Sequence, residues 1–281
     1  MPTYQLVNQN LIPLEEFTIN LDEQTRQLPR GLYSTFITNH GGTRVLGLTM
    51  HLDRLYLPAE LNGLRPSASR ADLKRALASL ASSAPHAESR IRVIMSETDG
   101  AIYVLIQSFT PPAKEIYERG VKVITAEMTR HDPRLKDTGF IAQSRAEREK
   151  VGGDVFEVLL TKKGKLYEGM TSNFYAVTHQ GARGTLVTAR NGILLGVTRR
   201  AVIQLARGQG MGVEYRYPNL DEVFAESFLT SSSRGVVPIV EIDGRPVGEG
   251  MVGPWTKRLA LAYQAYVEER SEPIWEGQDE R

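Results

Sequence analysis

Within six residues, Glu168, Gly169, Met170, Thr171, Ser172 and Asn173 bring together an ionisable carboxylate, a backbone free to turn, and hydroxyl and amide groups that exchange hydrogen bonds. The flanks are β-prone. Residues 155–160 read VFEVLL, a turn is centred on Gly164, and residues 174–177 resume an extended run. The spacing predicts a hairpin with the polar hexapeptide between its strands. An ordinary hairpin does not need a carboxylate among so many small polar residues, although polar residues beside a glycine often do no more than mark a loop.

The elements that must position this stretch follow from periodicity and turn chemistry. Short β-prone runs at residues 4–7, 31–38 and 44–48 lead to a helix that Thr49 would cap and Pro58 would break or kink. A second helix starts at Ser69, whose spacing to Asp72 is that of a capping box, with Leu73, Leu77 and Leu80 on its apolar face. Two strands, 90–95 and 101–109, follow Pro85 and turn at Asp99-Gly100. Helices are grouped instead of alternating with strands, which argues for an α+β fold. The prolines of residues 110–113 predict a stiff connection between domains. The expected division is a small N-terminal domain 1–110, a linker 111–119 and a larger C-terminal domain 120–281. In the second half we expect a strand at 121–126, a charged helix at 142–150 and β-prone pieces at 186–188 and 192–194. A helix from Thr198 to Gly208, strands at 227–230 and 239–242, and a final helix 255–269 complete it, with a loosely held tail after Ser271.

Composition removes several classes of function. Thirty-four basic residues against 33 acidic ones leave a net charge of +1, so no polyanion partner is implied and nucleic-acid binding is not favoured. The absence of cysteine excludes disulfides, zinc thiolates, iron–sulfur clusters and a thiol nucleophile. No run of roughly eighteen apolar residues occurs and the first residues lack the pattern of a signal peptide, so we expect a cytoplasmic protein that does not span a membrane. The hydrophobic content of 41% and charged content of 24% are those of an ordinary globular protein.

The central stretch closely resembles the EG-x-x-SN signature of the class IV (fold type IV) pyridoxal-phosphate enzymes, a group that includes branched-chain aminotransferases, D-amino-acid aminotransferases and aminodeoxychorismate lyases. Four further pieces match that family in its order across roughly residues 30–245. His51-Leu52-Asp53-Arg54-Leu55 is similar to H-x-x-R-L, which assigns Arg54 to the cofactor's 5′-phosphate. Guanidinium suits that task because it keeps its charge and pairs two hydrogen bonds with phosphate oxygens. Lys136 stands 32 positions before Glu168, close to the family's spacing between the Schiff-base lysine and its glutamate. Gly196-Val197-Thr198-Arg199 is like G-[IV]-T-R at a helix start, where free N–H groups and the helix dipole bind phosphate. Thr230-Ser231-Ser232-Ser233-Arg234-Gly235 resembles the small-polar loop that touches phosphate and substrate carboxylate.

The resemblance implies a two-domain fold type IV architecture, with a small N-terminal α/β domain and a larger domain with a β-barrel-like core, pyridoxal 5′-phosphate as cofactor, and a homodimer. It makes Lys136 and Glu168 catalytic. The lysine carries the cofactor and moves the proton, and the carboxylate keeps the pyridine nitrogen protonated so that the ring accepts an electron pair. Asn173, Val197, Thr198 and Ser232 join Arg54 around the cofactor, with Tyr33, Phe36, Arg92 and Ser233 as substrate contacts. Three features depart from the pattern, the first being Tyr33-Ser34-Thr35-Phe36 where branched-chain aminotransferases often carry Phe-Glu-Gly before the first helix. Ile141 stands where branched-chain aminotransferases often place a tyrosine, and residues 110–120 hold no Arg-x-His pair. The expected partners are an amino donor and a 2-oxo acid acceptor. A lyase of the aminodeoxychorismate type, or a protein that binds the cofactor without turnover, remains as an alternative. Simple phosphate binding, however, needs neither Lys136 nor Glu168.

Overall fold

The computed structural model describes residues 1–18, 20–83, 88–180 and 183–275. In chain order the first elements are β1 (Thr3–Val7), β2 (Asn10–Pro13), α1 (Leu21–Arg26), β3 (Gly31–Ile37), β4 (Arg44–Leu46), α2 (Leu48–Leu61), α3 (Arg70–Ser82), β5 (Ser89–Ser96) and β6 (Ile102–Ser108). Then come α4 (Lys114–Arg119), β7 (Val121–Glu127), α5 (Gly139–Gln143), α6 (Arg145–Arg148), β8 (Val155–Lys162), β9 (Lys165–Gly169), β10 (Asn173–Gln180) and β11 (Arg183–Thr188). The last are α7 (Val197–Gly208), β12 (Gly212–Tyr215), β13 (Glu226–Ser231), β14 (Gly235–Ile242), β15 (Arg245–Pro246), α8 (Pro254–Arg270) and β16 (Ser271–Pro273).

The chain forms two compact units. The first holds Met1–Thr110, Leu135–Ala142 and the segment from Val267, and the second holds Pro111–Arg134 and Gln143–Tyr266. The first unit is built on an antiparallel sheet of order β2-β1-β6-β5-β3. Side chains alternate across it. Phe36, Ile91, Val93 and Val104 face α2 and α3, burying Leu48, Leu52, Leu55, Leu73 and Leu77. Tyr33, Ile94, Tyr103 and Leu105 face the other way, onto Leu21 and Ile141.

In the second unit, strands β7, β8, β9, β10, β13 and β14 close on themselves, because β9 pairs both β8 and β10. The result is a six-stranded barrel filled by Val121, Val123, Leu159, Phe174, Leu229, Val237 and Ile239. Its β9–β10 seam is the single pair Glu168↔Asn173. The hexapeptide thus closes the barrel, and its carboxylate and amide sit on strand ends instead of in a loop.

Several local expectations change. Helix α2 is capped by Gly47 in the left-handed conformation, not by Thr49. Thr49 instead gives its N–H and hydroxyl to Glu272. Pro58 does not break α2: it lies in the last turn, where one lost bond is tolerated, and the helix runs on to Leu61. The capping box of Ser69 and Asp72 forms as read. The charged helix of residues 142–150 is interrupted at Ser144 into α5 and α6, and residues 192–194 form no strand. Residues 111–119 contain the helix α4. The tail is not loose as far as residue 275, because β16 pairs with β4 and Ile274 is buried. Residues 276–281, like Pro85, lie outside the described residues.

Candidate active site

In the first unit, Lys136 is held by backbone pairing. The carbonyl of Lys136 accepts the Tyr33 N–H at 2.7 Å, Asp137 bridges Leu32, and Thr138 N–H reaches the Gly31 carbonyl at 2.9 Å. This short segment extends the sheet beyond the edge strand β3. On its other side β3 approaches β5 closely at Gly31, where a Cβ would lie 2.0 Å from the Met95 carbonyl oxygen. The Lys136 amine lies 4.8 Å from the centre of the Tyr33 ring, a cation–π distance.

The same unit presents Arg54 and His51 three residues apart on α2, hence on one helix face. His51 is buried, its Nδ1 is 2.7 Å from the Ser34 hydroxyl, and its ring leans on Phe36. Burial pushes its pKa well below the ordinary value, and the charges of Arg54 and Lys136 push the same way. A neutral imidazole therefore lies within electrostatic reach of two cations that the sequence singles out. His51 itself was legible only as a letter of the H-x-x-R-L pattern.

The expected substrate contacts separate. Tyr33 and Arg92 lie on the sheet face away from α2, and Phe36 lies in the core beneath α2, because 33 and 36 have opposite parity on β3. Arg92 is buried and its donors go to Thr35 at 3.0 Å, Asp22 at 2.8 Å and Thr25 at 2.7 Å, with its guanidinium 4.8 Å from the Tyr33 ring centre. Ile141 is fully buried beside Tyr33, so the position that lacks a phenol is a core position here.

In the second unit, Glu168 is 2% exposed and its carboxylate is fixed by three elements. Arg130 donates its Nε to Oε1 at 2.8 Å, and Leu194 gives its N–H to Oε2 at 3.0 Å. The Asn173 amide makes a long contact of 3.5 Å to Oε2 and a shorter bond of 2.8 Å to the Leu194 carbonyl. Asn173 thus ties the loop before α7 to the barrel seam. Arg130 also binds the Met170 carbonyl at 2.9 Å, bracing the turn beyond Glu168. The sequence signal for Arg130 was weak, since nothing distinguishes one arginine in a polar loop.

Helix α7 begins at Val197 and Thr198, both buried, and no side chain caps it. A buried helix start without a side-chain cap is a place for an anion. Gly196 at the N-cap has no room for a Cβ, which would come 2.4 Å from the Asn173 amide oxygen. The Thr198 hydroxyl is 3.4 Å from that of Tyr263, whose pKa burial raises to about 12, so the phenol stays a donor. Ser232 and Ser233 are half-buried in the turn between β13 and β14. That turn is the neighbour of the Glu168 turn, because Thr230 pairs with Asn173. The second unit therefore offers a fixed carboxylate, an open helix start and a serine turn, a donor set that fits a phosphorylated pyridine ring. The first unit offers a lysine amine and an arginine.

Comparison with known proteins agrees with this chemistry. The family model for amino-transferase class IV matches residues 31–242. The D-alanine aminotransferase of Bacillus licheniformis is 27% identical over 92% of this chain and 95% of its own. The branched-chain-amino-acid aminotransferase of Pseudomonas aeruginosa is 29% identical over 82% and 81% of the two chains. Among solved structures, the T.th. branched-chain amino acid aminotransferase with pyridoxamine 5′-phosphate superposes with a TM-score of 0.79 at 19% identity, covering 98% of each chain. A hypothetical aminotransferase from Mycobacterium tuberculosis in its PLP-bound form gives 0.74 at 21% identity, over 96% of this chain and all of that one. The fold is type IV, with the six-stranded barrel as the core of its second unit.

Proposed function

The chain belongs to the class IV aminotransferases, pyridoxal-phosphate enzymes that move an amino group between an amino acid and a 2-oxo acid, and on that premise we propose how its own residues divide the work. When bound, the cofactor supplies an aldehyde that takes up the amine and a cationic ring that draws electron density from the substrate's α-carbon. Lys136 is the residue that holds it covalently, and its Nζ is the base that moves the α-proton. Glu168 holds the proton at the pyridine nitrogen. Arg130 aims that carboxylate, and Asn173 and Leu194 limit its rotation. Arg54, the N–H groups of Val197 and Thr198, and Ser232 bind the phosphate. Tyr33, which lies against the lysine and the Arg92 guanidinium, is our candidate substrate contact, with Ser233 as a further one. In this reading Phe36 acts only by packing His51.

One observation carries the proposal. A carboxylate 2% exposed, paired at 2.8 Å with an arginine 6% exposed, is a costly arrangement for mere structure. It suits a group that must stay charged beside a cationic ring. We further propose a homodimer working in the cytoplasm. Among the described residues no helix is long and apolar enough to cross a membrane.

The test is a single-turnover spectral screen of the purified protein with amino donors of both L and D form. Transfer of the amino group leaves the cofactor in its amine form, with loss of the aldehyde-form absorbance and release of one 2-oxo acid per site. Elimination without accumulation of the amine form would instead assign the lyase chemistry that shares this lysine and cofactor.

A further inference from the structure

A second buried carboxylate stands next to the turn that carries Glu168, and the chemistry above does not use it. Glu157, on β8, is 2% exposed. Its Oε2 accepts from the Thr171 hydroxyl at 2.7 Å, the Ser172 hydroxyl at 3.3 Å and the Arg234 Nη2 at 2.8 Å. The same Nη2 donates to the Thr171 oxygen at 2.5 Å, and the Arg234 Nε donates to Ser231 at 3.1 Å. The carbonyl of Arg234 accepts the Tyr117 hydroxyl at 2.8 Å, and its guanidinium lies 5.2 Å from the centre of the Phe156 ring. Gly169 makes room for the cluster, since a Cβ there would lie 2.2 Å from the Ser172 hydroxyl and 3.2 Å from Glu157 Cγ.

The cluster joins two turns that belong to different hairpins. One, between β9 and β10, sits between Glu168 and Asn173, and the other, between β13 and β14, carries Ser232 and Ser233. The sheet fixes their strands only up to the pairs Asn173↔Thr230 and Ser231↔Gly235. Beyond those pairs, Glu157, Arg234 and the two hydroxyls provide the cross-links. An ion pair like this one, with a buried carboxylate and a half-buried arginine, is seldom a net source of stability, because desolvation offsets much of the attraction, but it does select one arrangement of the groups it joins.

We propose that Glu157 and Arg234 are positioning residues that latch these two turns at one spacing. The proton-holding carboxylate and the phosphate-binding serine turn then grip a single ligand as a unit. The inference rests on the reading of Glu168 and Ser232 given above. The hydrogen bonds described above for both side chains go to the two turns and to each other, which is a positioning role.

The test compares full-length Arg234→Met, Arg234→Lys and Glu157→Gln with the parent protein by cofactor titration after dialysis and by hydrogen exchange without cofactor. Arg234→Met is expected to bind the cofactor about tenfold more weakly, the loss of one charge-assisted contact read indirectly. Amides of both turns, 170–172 and 231–234, should exchange faster together while the barrel strands keep their protection. Arg234→Lys should recover part of both effects, and Glu157→Gln combined with Arg234→Met should be no worse than Arg234→Met alone, since the two act as one unit. Parent-like cofactor affinity in Arg234→Met, faster exchange in one turn only, or a rise spread over every strand would each overturn the latch. If the parent itself took up no cofactor, the functional reading would fail instead, and the exchange result would still decide whether the turns are linked.

Discussion

Glu168 is the residue on which the proposed chemistry turns, and its surroundings make its replacement informative. Glu168→Gln keeps the shape and an acceptor for Arg130 but removes the charge. We expect the cofactor to stay bound through the phosphate contacts while kcat falls by about a hundredfold or more, the scale of a lost proton-holding group. Stability should fall by about 1–3 kcal/mol, since buried Arg130 loses its counter-charge. Steady-state kinetics and cofactor retention on gel filtration check both, and unchanged kcat would reduce Glu168 to a structural role. His51 makes a separate prediction about pH. Its folded pKa is depressed, so below about pH 6.5 the unfolded chain takes up a proton that the folded chain refuses. The His51 contribution is complete above that pH and is lost as the pH falls, by up to about 1.4 kcal/mol per unit. Urea unfolding at pH 7.5 and 5.5 should show a smaller drop in His51→Asn than in the parent protein. Equal drops would mean that His51 takes up its proton in the folded chain.

Among elements, helix starts separate structure from function. Ser69 caps α3 and is not itself a proposed site residue; its hydroxyl accepts the Asp72 N–H at 3.1 Å and the Asp72 carboxylate accepts the Ser69 N–H at 3.2 Å. Ser69→Ala should cost about 1 kcal/mol of stability in a urea titration and leave cofactor affinity untouched. The start of α7 should behave in the opposite way. Gly196→Ala places a methyl against the Asn173 amide oxygen, so it should weaken cofactor binding more than stability, which a cofactor titration beside a urea titration measures. If both variants lost stability alone, α7 would be an ordinary helix end. These two starts also show what the sequence makes legible. The capping box is a local signal, and Ser69 and Asp72 form it as spaced. The motif residues Glu168, Asn173, Thr198 and Ser232 could be named because their order matches a family pattern. Arg130 could not, since its pairing with Glu168 spans 38 residues and depends on how the barrel closes. The docking of Lys136 onto β3 is equally non-local, a pairing with Tyr33 across about a hundred residues that no periodicity signals. Pro58 and Thr49 misled because a local rule was outweighed, by the tolerance of a last helical turn and by a partner, Glu272, near the far end of the chain.

At the scale of the whole molecule, the residues proposed for the chemistry are divided between the compact units: Lys136, Arg54 and Tyr33 belong to the first, and Glu168, Asn173, Thr198 and Ser232 to the second. The first unit gathers the segment holding Lys136 from the middle of the sequence, so the expected split into 1–110 and 120–281 is not how the contacts divide. The charge balance of +1 and the absence of cysteine are consistent with a small-molecule enzyme that needs no thiol. The central claim is that Lys136, and no other lysine, carries the cofactor, with neighbours such as Lys150, Lys162, Lys163 and Lys165 as the alternatives along the sequence. Borohydride reduction of the yellow holoenzyme, followed by peptide mapping, tests it directly. The visible band is expected to bleach and the reduced cofactor to be recovered on the peptide containing Lys136, while Lys136→Ala yields no labelled peptide. Recovery of the label on Lys150 or Lys162, or labelling that persists in Lys136→Ala, would contradict it.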